Sequence, residues 1–214
     1  MSHCWFHSLS SARYFGGEPE DYLRTHEWFD QVKVAWNFPT HRALLHNEFG
    51  VKLIQEIFGQ TLVRQSDGKS VELEPLVRLH IEEDLGKVPS LADWLHDLRV
   101  EIRVKPVKLH EDFQSIVEFF RSPSLMWDSP RSLIVLHNTV GIYLCEQRFG
   151  QLFARPNGKV VPTRLIAEKL VQQRLGKIPT VQDWLQTLSL KPEWRRNAAA
   201  KLSERFDEGG SYDL

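Results

Sequence analysis

The residues best suited to chemistry in this sequence are two His-x-x-x-Asp pairs, His26 with Asp30 and His80 with Asp84. Residues four apart lie on the same face of a helix, so each pair can direct an imidazole and a carboxylate at one point. Together these groups suit zinc, manganese, iron or nickel. We therefore predict a divalent-metal site, to which we assign the ligands His26, His46, His80 and Asp84.

The neighbouring His41-Arg42 pair suggests a catalytic role for the same region. Arginine cannot bind a metal, but it can hold a phosphate by two hydrogen bonds. One interpretation is a metal-dependent hydrolase; in another, the aspartates orient the histidines for acid–base catalysis without a metal. His7, on a predicted first helix, either binds the cofactor or only packs there. The residues assigned catalytic roles are His26, Asp30, His41, Arg42, His80 and Asp84.

The sequence is a tandem duplication, in which the second copy repeats rare residues of the first in the same order. The segment HRALLHN at residues 41–47 returns as SLIVLHN at residues 132–138. Likewise, LGKVPSLADWL at residues 85–95 returns as LGKIPTVQDWL at residues 175–185. Both copies should therefore have the same fold.

The second copy lacks almost all of the candidate site residues. The residues that replace the two His-x-x-x-Asp pairs and His41-Arg42 are Val117, Arg121, Ser132, Leu133, Leu170 and Arg174. One interpretation places the site in the first copy and makes the second a scaffold. In another, Asp30 faces Arg121 and Asp84 faces Arg174 across an internal interface. In a third, these residues are scattered surface polar groups.

The pattern of helix and turn signals predicts an α+β, predominantly helical protein. The two copies should form a pseudo-twofold pair, each with about four helices and one two-stranded hairpin. The expected divisions are a first copy at residues 1–99, a linker or strand at 100–109, a second copy at 110–189, and a C-terminal helix and tail at 190–214.

Particular elements can be predicted for the first copy. The expected helices run from Pro19 to about Trp36, from Thr40 to Gly59, and from about Pro75 to Leu85. Asp67-Gly68 and its counterpart Asn157-Gly158 are hairpin dipeptides. Gly50, expected in mid-helix, would let another backbone come close. The short helices that follow should turn Trp94 and Trp184 inward.

The composition excludes several classes of function. The chain has 214 residues and a formal net charge of -1, so the net charge does not indicate nucleic-acid binding. No apolar run is long enough to span a membrane, and the N-terminus shows no secretory signal. Cys4 and Cys145 match no zinc or redox spacing and suggest free thiols. We therefore expect a cytoplasmic protein.

The first copy resembles an uncharacterised family of small bacterial and phage domains. The resemblance rests on HSLSSARYFGGEPEDYLRTHEWFD, HRALLHNEFG and HIEEDLGKVPSLADWL. It implies no activity, but it implies that the following residues belong to the family pattern: His7, His26, Asp30, His41, His46, His80 and Asp84. The sequence is also similar to helical metal phosphohydrolases, but it has His41-Arg42 where those enzymes have His-Asp.

Two functions are consistent with these patterns. The first is a metal-dependent hydrolase of a small phosphorylated substrate, with Arg42 holding the anion. The second is a non-catalytic binding protein of a phage or mobile element, in which the second copy and the C-terminal helix engage a protein partner. An enzyme needs a concave site around the polar residues of the first copy, whereas a binding protein exposes an apolar patch.

Overall fold

The computed structural model describes residues 4–98, 103–189 and 194. In these ranges the chain is mostly helical, with two antiparallel sheets of two strands each. The α+β, predominantly helical class predicted from the sequence is thus confirmed. None of the helices in the described ranges combines the length and the apolar character that crossing a bilayer requires.

The chain divides into two compact units. Unit 1 consists of residues 1–90 with 189–214, and unit 2 of residues 91–188. The predicted domain divisions and the predicted pseudo-twofold pairing stay predictions.

Unit 1 contains most of the first copy. Its helices are α1 (Cys4–Phe15), α2 (Glu20–Asp30), α3 (Arg42–Leu45), α4 (Glu48–Phe58) and α5 (Leu73–Leu85). Short 3₁₀ turns cover Gln31–Val34 and Pro39–His41. The strands β1 (Thr61–Val63) and β2 (Ser70–Glu72) form the predicted hairpin.

Unit 2 contains the last residues of the first copy and most of the second copy, in which a hairpin again follows two longer helices and precedes another. Its helices are α6 (Leu91–Leu95), α7 (Gln114–Met126), α8 (Thr139–Phe149), α9 (Thr163–Leu175) and α10 (Gln182–Leu185). Its 3₁₀ turns are Glu111–Phe113 and Pro130–Val135, and its hairpin strands are β3 (Leu152–Ala154) and β4 (Val160–Pro162). Trp94 and Trp184 are both buried, as predicted.

Two predicted helices are shorter than expected. The first ends at Asp30 rather than near Trp36 and continues as a 3₁₀ turn containing Val32 and Val34, whose β-branched side chains disfavour helix. The second is interrupted at His46, where φ is -84° and ψ is 65°. Asn47 then takes an extended conformation and caps α4, since asparagine is among the preferred N-cap residues.

Gly50 lies in the first turn of α4 and not in mid-helix. The side chain of Asn47 accepts a hydrogen bond from the Gly50 N–H and donates one to the carbonyl of Ala43, which joins α3 to α4. A Cβ at Gly50 would lie 1.7 Å from the carbonyl oxygen of Leu45. The close approach of two backbones therefore requires glycine here.

The buried faces of α2 and α5 change from apolar to polar along their length. On α2, buried Tyr22 is followed one turn later by His26 and two turns later by Asp30. On α5, buried Leu76 is followed one turn later by His80. Residues four apart share a helix face, so the same packing that buries the apolar side chains also buries the candidate ligands.

Some predicted features lie outside the described residues. They are residues 100–102 of the predicted linker strand and the C-terminal helix and tail, apart from Trp194, which is buried. The described part of the linker, residues 103–109, has no regular secondary structure.

The glycine at the α3–α4 junction yields a test in both copies. Gly141 is the counterpart of Gly50, and a Cβ there would lie 1.8 Å from the Leu136 carbonyl oxygen. Gly50→Ala and Gly141→Ala should each lower the free energy of unfolding by about 3 kcal/mol, because the backbones must move apart. Urea denaturation measures the change. Lys52→Ala, at an exposed position of α4, should leave stability nearly unchanged, and equal stability of all three variants would contradict the account.

Candidate metal centre

Every candidate site residue lies in unit 1, with its side chain buried. His7 comes from α1, His26 and Asp30 from α2, and His80 and Asp84 from α5. The segment between α2 and α4 supplies the rest, which are His41, Arg42 and His46. All these side chains are 5% exposed or less. The structure therefore brings together residues that are far apart in the sequence.

Four side chains converge on one point. Asp30, His46, His80 and Asp84 each offer one ligand atom, and these atoms all lie within 4.8 Å of one another. It is the single group of this kind that the described part of the chain contains. Asp30 therefore takes the position among the four that the sequence analysis assigned to His26.

The separations within this four-residue group match those of metal ligands. His46 Nε2 lies 3.0 Å from His80 Nε2, 3.2 Å from Asp84 Oδ2 and 3.6 Å from Asp30 Oδ1. His80 Nε2 lies 3.8 Å from Asp84 Oδ2. Ligands about 2.1 Å from a common ion are roughly 3.0 Å apart in octahedral and 3.4 Å apart in tetrahedral geometry. The arrangement can thus accommodate one ion after small adjustments.

A buried chain of hydrogen bonds orients the His80 ring. His80 Nδ1 lies 2.9 Å from His26 Nδ1, and His26 Nε2 lies 2.9 Å from Ser11 Oγ. If His80 binds an ion through Nε2, its Nδ1 carries the proton and donates to His26. His26 then donates its own Nε2–H to Ser11. Such outer partners fix the tautomer of a metal-binding histidine.

Cationic side chains hold the carboxylates in place. Arg42 donates from Nε to Asp84 Oδ2 and lies close to Oδ1 through a terminal nitrogen, both at 2.9 Å. Lys33 pairs with Asp30 Oδ2, which also accepts from the thiol of Cys4 at 3.3 Å. Arg42 therefore positions a candidate ligand in this structure, and it would have to leave Asp84 to bind a substrate phosphate.

The protonation states of the group suit metal binding. Burial lowers the pKa of His26 to about 3 and that of His46 to about 4, and it holds the pKa of His80 well below its ordinary value. The pKa values of Asp30 and Asp84 are also lowered: hydrogen bonds and nearby cations or histidines outweigh a burial effect that would raise them. At neutral pH these imidazoles are neutral and the carboxylates ionised, the forms that bind cations.

His7 differs from the other histidines of the cluster. Its Nδ1 lies 2.5 Å from Glu83 Oε2, and its Nε2 lies 3.5 Å from Asp84 Oδ1. Burial alone would lower the pKa of His7, but the hydrogen bonds to Asp84 and Glu83 raise it to about 9. His7 is therefore a cation at neutral pH, which favours pairing with carboxylates over binding a metal.

His41 lies beside the four-residue group. Its Nδ1 donates to the carbonyl of Phe38 at 2.7 Å, which leaves Nε2 facing Asp30 Oδ1 at 3.4 Å. A carboxylate oxygen and a neutral imidazole nitrogen both carry lone pairs. A proton or a cation between them is thus needed to make this contact favourable.

Sequence reasoning missed Glu83, Ser11 and Cys4. For Glu83 a signal existed, since the second copy has Gln173 at this position and so loses an acid together with the other site residues. Ser11 and Cys4 lie on α1, where the repeat offers no comparison. Both cysteines are free, as the sequence suggested.

The same positions in unit 2 have the opposite charge. The terminal nitrogen NH1 of Arg174 lies 3.2 Å from Nε2 of His137, and His137 Nδ1 donates to the Leu133 carbonyl at 2.7 Å. The Asp84 carboxylate has its partners within unit 1, as described above. His96 and His110 are exposed and take no part in either arrangement.

The fold and this cluster define a mostly helical, duplicated protein with a buried His/Asp group that could hold a metal. The model of a family described as a domain of unknown function, DUF6915, matches residues 2–104 and again residues 108–194. The chain belongs to this family and carries it as a tandem duplication. Neither a curated protein nor a solved structure matches the chain.

The pair between Arg42 and Asp84 yields a stability test. Arg42→Leu, which introduces the residue of the second copy, leaves the Asp84 charge buried without its guanidinium. We expect it to lower the free energy of unfolding by about 3–5 kcal/mol in metal-free protein. Arg78→Leu is the matched control because Arg78 pairs with Glu48 at the surface, where a pair contributes about 1 kcal/mol or less.

A double-mutant cycle identifies the cause of that loss. Adding Asp84→Asn to Arg42→Leu should recover part of the stability, because the unpaired charge is removed. Chemical denaturation of the four proteins gives the coupling energy. A coupling near zero would show that the guanidinium does not stabilise this carboxylate.

Proposed function

We propose that unit 1 binds one divalent transition metal through Asp30, His46, His80 and Asp84, and uses it to hydrolyse a small phosphorylated substrate. The observation that carries the metal site is the convergence of four atoms that all bear lone pairs. Two imidazole nitrogens 3.0 Å apart repel each other unless a proton or a cation lies between them. A metal ion would satisfy all four atoms at once.

The ligand chemistry supports a reactive site rather than a structural one. Structural zinc sites in proteins are mostly built from cysteine thiolates with histidine. This group has two imidazoles and two carboxylates, which suit zinc, manganese, iron or nickel. A bound ion of this kind acts as a Lewis acid and lowers the pKa of a bound water.

The side chains around the four-residue group would serve this chemistry. His26 fixes the ring of His80, while Arg42 holds both oxygens of Asp84 and Lys33 holds the second oxygen of Asp30. His7 with Glu83 forms a buried pair that can hold or release one proton beside Asp84. We place substrate entry next to Asp30, because its partners Cys4 and Lys33 are both partly exposed.

A metal-stabilised binding protein is the second candidate. It is favoured by exposed apolar side chains in unit 1 next to the segment that supplies His41: Val34 is 95% exposed and Phe38 is 58% exposed. Such groups suit a partner surface. The predicted partner site on the C-terminal helix lies outside the described residues, apart from Trp194.

The metal site predicts the composition of the purified protein. Protein made without a histidine tag should contain about one equivalent of zinc, manganese, iron or nickel, and chelation should lower its melting temperature because the ion stabilises only the folded state. His80→Ala and Asp84→Asn should lose the metal. His96→Ala, at an exposed position of unit 2, should keep it. Protein that stays metal-free and whose melting temperature none of these ions raises would refute the site.

The hydrolase proposal predicts turnover that depends on the same ligands. We expect the metal-loaded protein to hydrolyse phosphomonoesters or phosphodiesters, and His80→Ala to reduce kcat/KM by at least about a hundredfold, the loss typical of disturbing a metal site. Colorimetric assays with several ions measure this. If the protein binds the metal tightly and turns over none of these esters, the second candidate replaces the first.

A further inference from the structure

Unit 2 contains an open cavity of about 280 Å³ that lies against α7, α9 and the segment at residues 104–106. The cationic residues that line it are Lys105, Arg121 and Arg174. None of the described residues that line this cavity carries a carboxylate. The cavity is therefore basic, although the whole chain has a net charge of -1.

Among the cationic residues of this cavity, Arg174 has the side chain that is most firmly fixed in place. It is 8% exposed, and His137 Nε2 accepts a hydrogen bond from its terminal nitrogen NH1. Its Nε is buried and finds no hydrogen-bond partner within the described part of the chain. A buried donor without an acceptor is unfavourable, so this guanidinium is anchored on one side and still lacks an acceptor on another.

The lining also brings like charges together. Burial, and then the charge of nearby Arg121, lower the pKa of the Arg174 guanidinium. The backbone N–H of Lys105 donates to the Arg174 carbonyl, which keeps the segment of Lys105 beside this arginine. Repulsion between neighbouring cations disfavours the empty cavity, and an anion bound between them would remove it.

The repeat shows that this cavity occupies the position of the candidate metal centre. Arg121 and Arg174 replace Asp30 and Asp84, the two carboxylates of the four-residue group. The shared histidine has an Asp84 oxygen 3.2 Å from its Nε2 in unit 1, and an Arg174 nitrogen 3.2 Å from it in unit 2. The second copy thus keeps this histidine and replaces both carboxylates of the group with guanidinium groups.

We propose that this cavity binds the phosphate group of a small phosphorylated molecule. Guanidinium groups match phosphate oxygens by paired hydrogen bonds, and three cationic residues suit a dianion better than a carboxylate with one charge. Of the four remaining lining residues, Ser124 is polar, whereas Val104, Pro106 and Leu133 are apolar and fit an organic group attached to the phosphate. The site is independent of the metal proposed for unit 1.

Calorimetric titration of the intact chain with phenyl phosphate, at constant ionic strength and with a chelator present so that no metal-dependent hydrolysis occurs in unit 1, tests the proposal. We expect binding at one site, with Arg121→Ala and Arg174→Gln each weakening it about tenfold or more because a charge-assisted pair is lost. Inorganic phosphate should bind more weakly, since it leaves the apolar wall uncovered, and benzoate should bind at least tenfold more weakly than phenyl phosphate. Arg148→Ala is the matched control, because Arg148 is an exposed arginine of unit 2 that does not line the cavity.

Further variants keep the test decisive. If Arg174→Gln fails to fold, Arg121→Ala decides alone, since Arg121 is exposed. His80→Ala should retain phenyl phosphate binding, because it removes the metal of unit 1 and not the cavity of unit 2. No binding by the folded chain, equal binding of Arg121→Ala and wild type, equal binding of benzoate, or loss in His80→Ala alone would each overturn the proposal.

Discussion

Two carboxylates, Asp30 and Asp84, carry their charges inside unit 1, and the rest of the unit is arranged around that constraint. Removing an ionised carboxylate from water costs several kcal/mol unless opposite charge and hydrogen bonds replace the water. Arg42, Lys33 and protonated His7 supply that charge from three different elements. One oxygen of each carboxylate also faces His46, at 3.6 Å for Asp30 and 3.2 Å for Asp84, so lone pairs still meet at this point, and the proposed metal site follows from that arrangement.

The two copies show that the same fold accommodates side chains of opposite charge beside the shared histidine. The first copy has Asp30 and Asp84 there, and the second has Arg121 and Arg174. Asn47 joins α3 to α4, Asn138 joins the 3₁₀ turn Pro130–Val135 to α8, and Gly50 and Gly141 permit the same close approach. These contacts next to the shared histidine are therefore the same in both units, although Pro130–Val135 is a 3₁₀ turn where unit 1 has α3. What differs is the charge beside that histidine, which suits a cation in unit 1 and an anion in unit 2.

The sequence was enough to predict those features of the structure that depend on local periodicity. The His-x-x-x-Asp spacing predicted shared helix faces, and comparing the copies singled out the residues that now lie together. It did not predict that Asp30 rather than His26 joins the four-residue group, because that depends on how α2 packs against α5. The break at His46 was also missed, since apolar periodicity continues across it and only the capping geometry of Asn47 reveals it.

Anomalous diffraction from crystals of the metal-loaded protein, collected at the absorption edge of the bound element, tests the central claim most directly. The account predicts one peak in unit 1, about 2.0–2.2 Å from His46 Nε2, His80 Nε2 and one oxygen each of Asp30 and Asp84. His26 should lie outside this shell and keep its hydrogen bond to His80. A peak bound by other residues, or none between these four in crystals whose protein contains the metal, would contradict it.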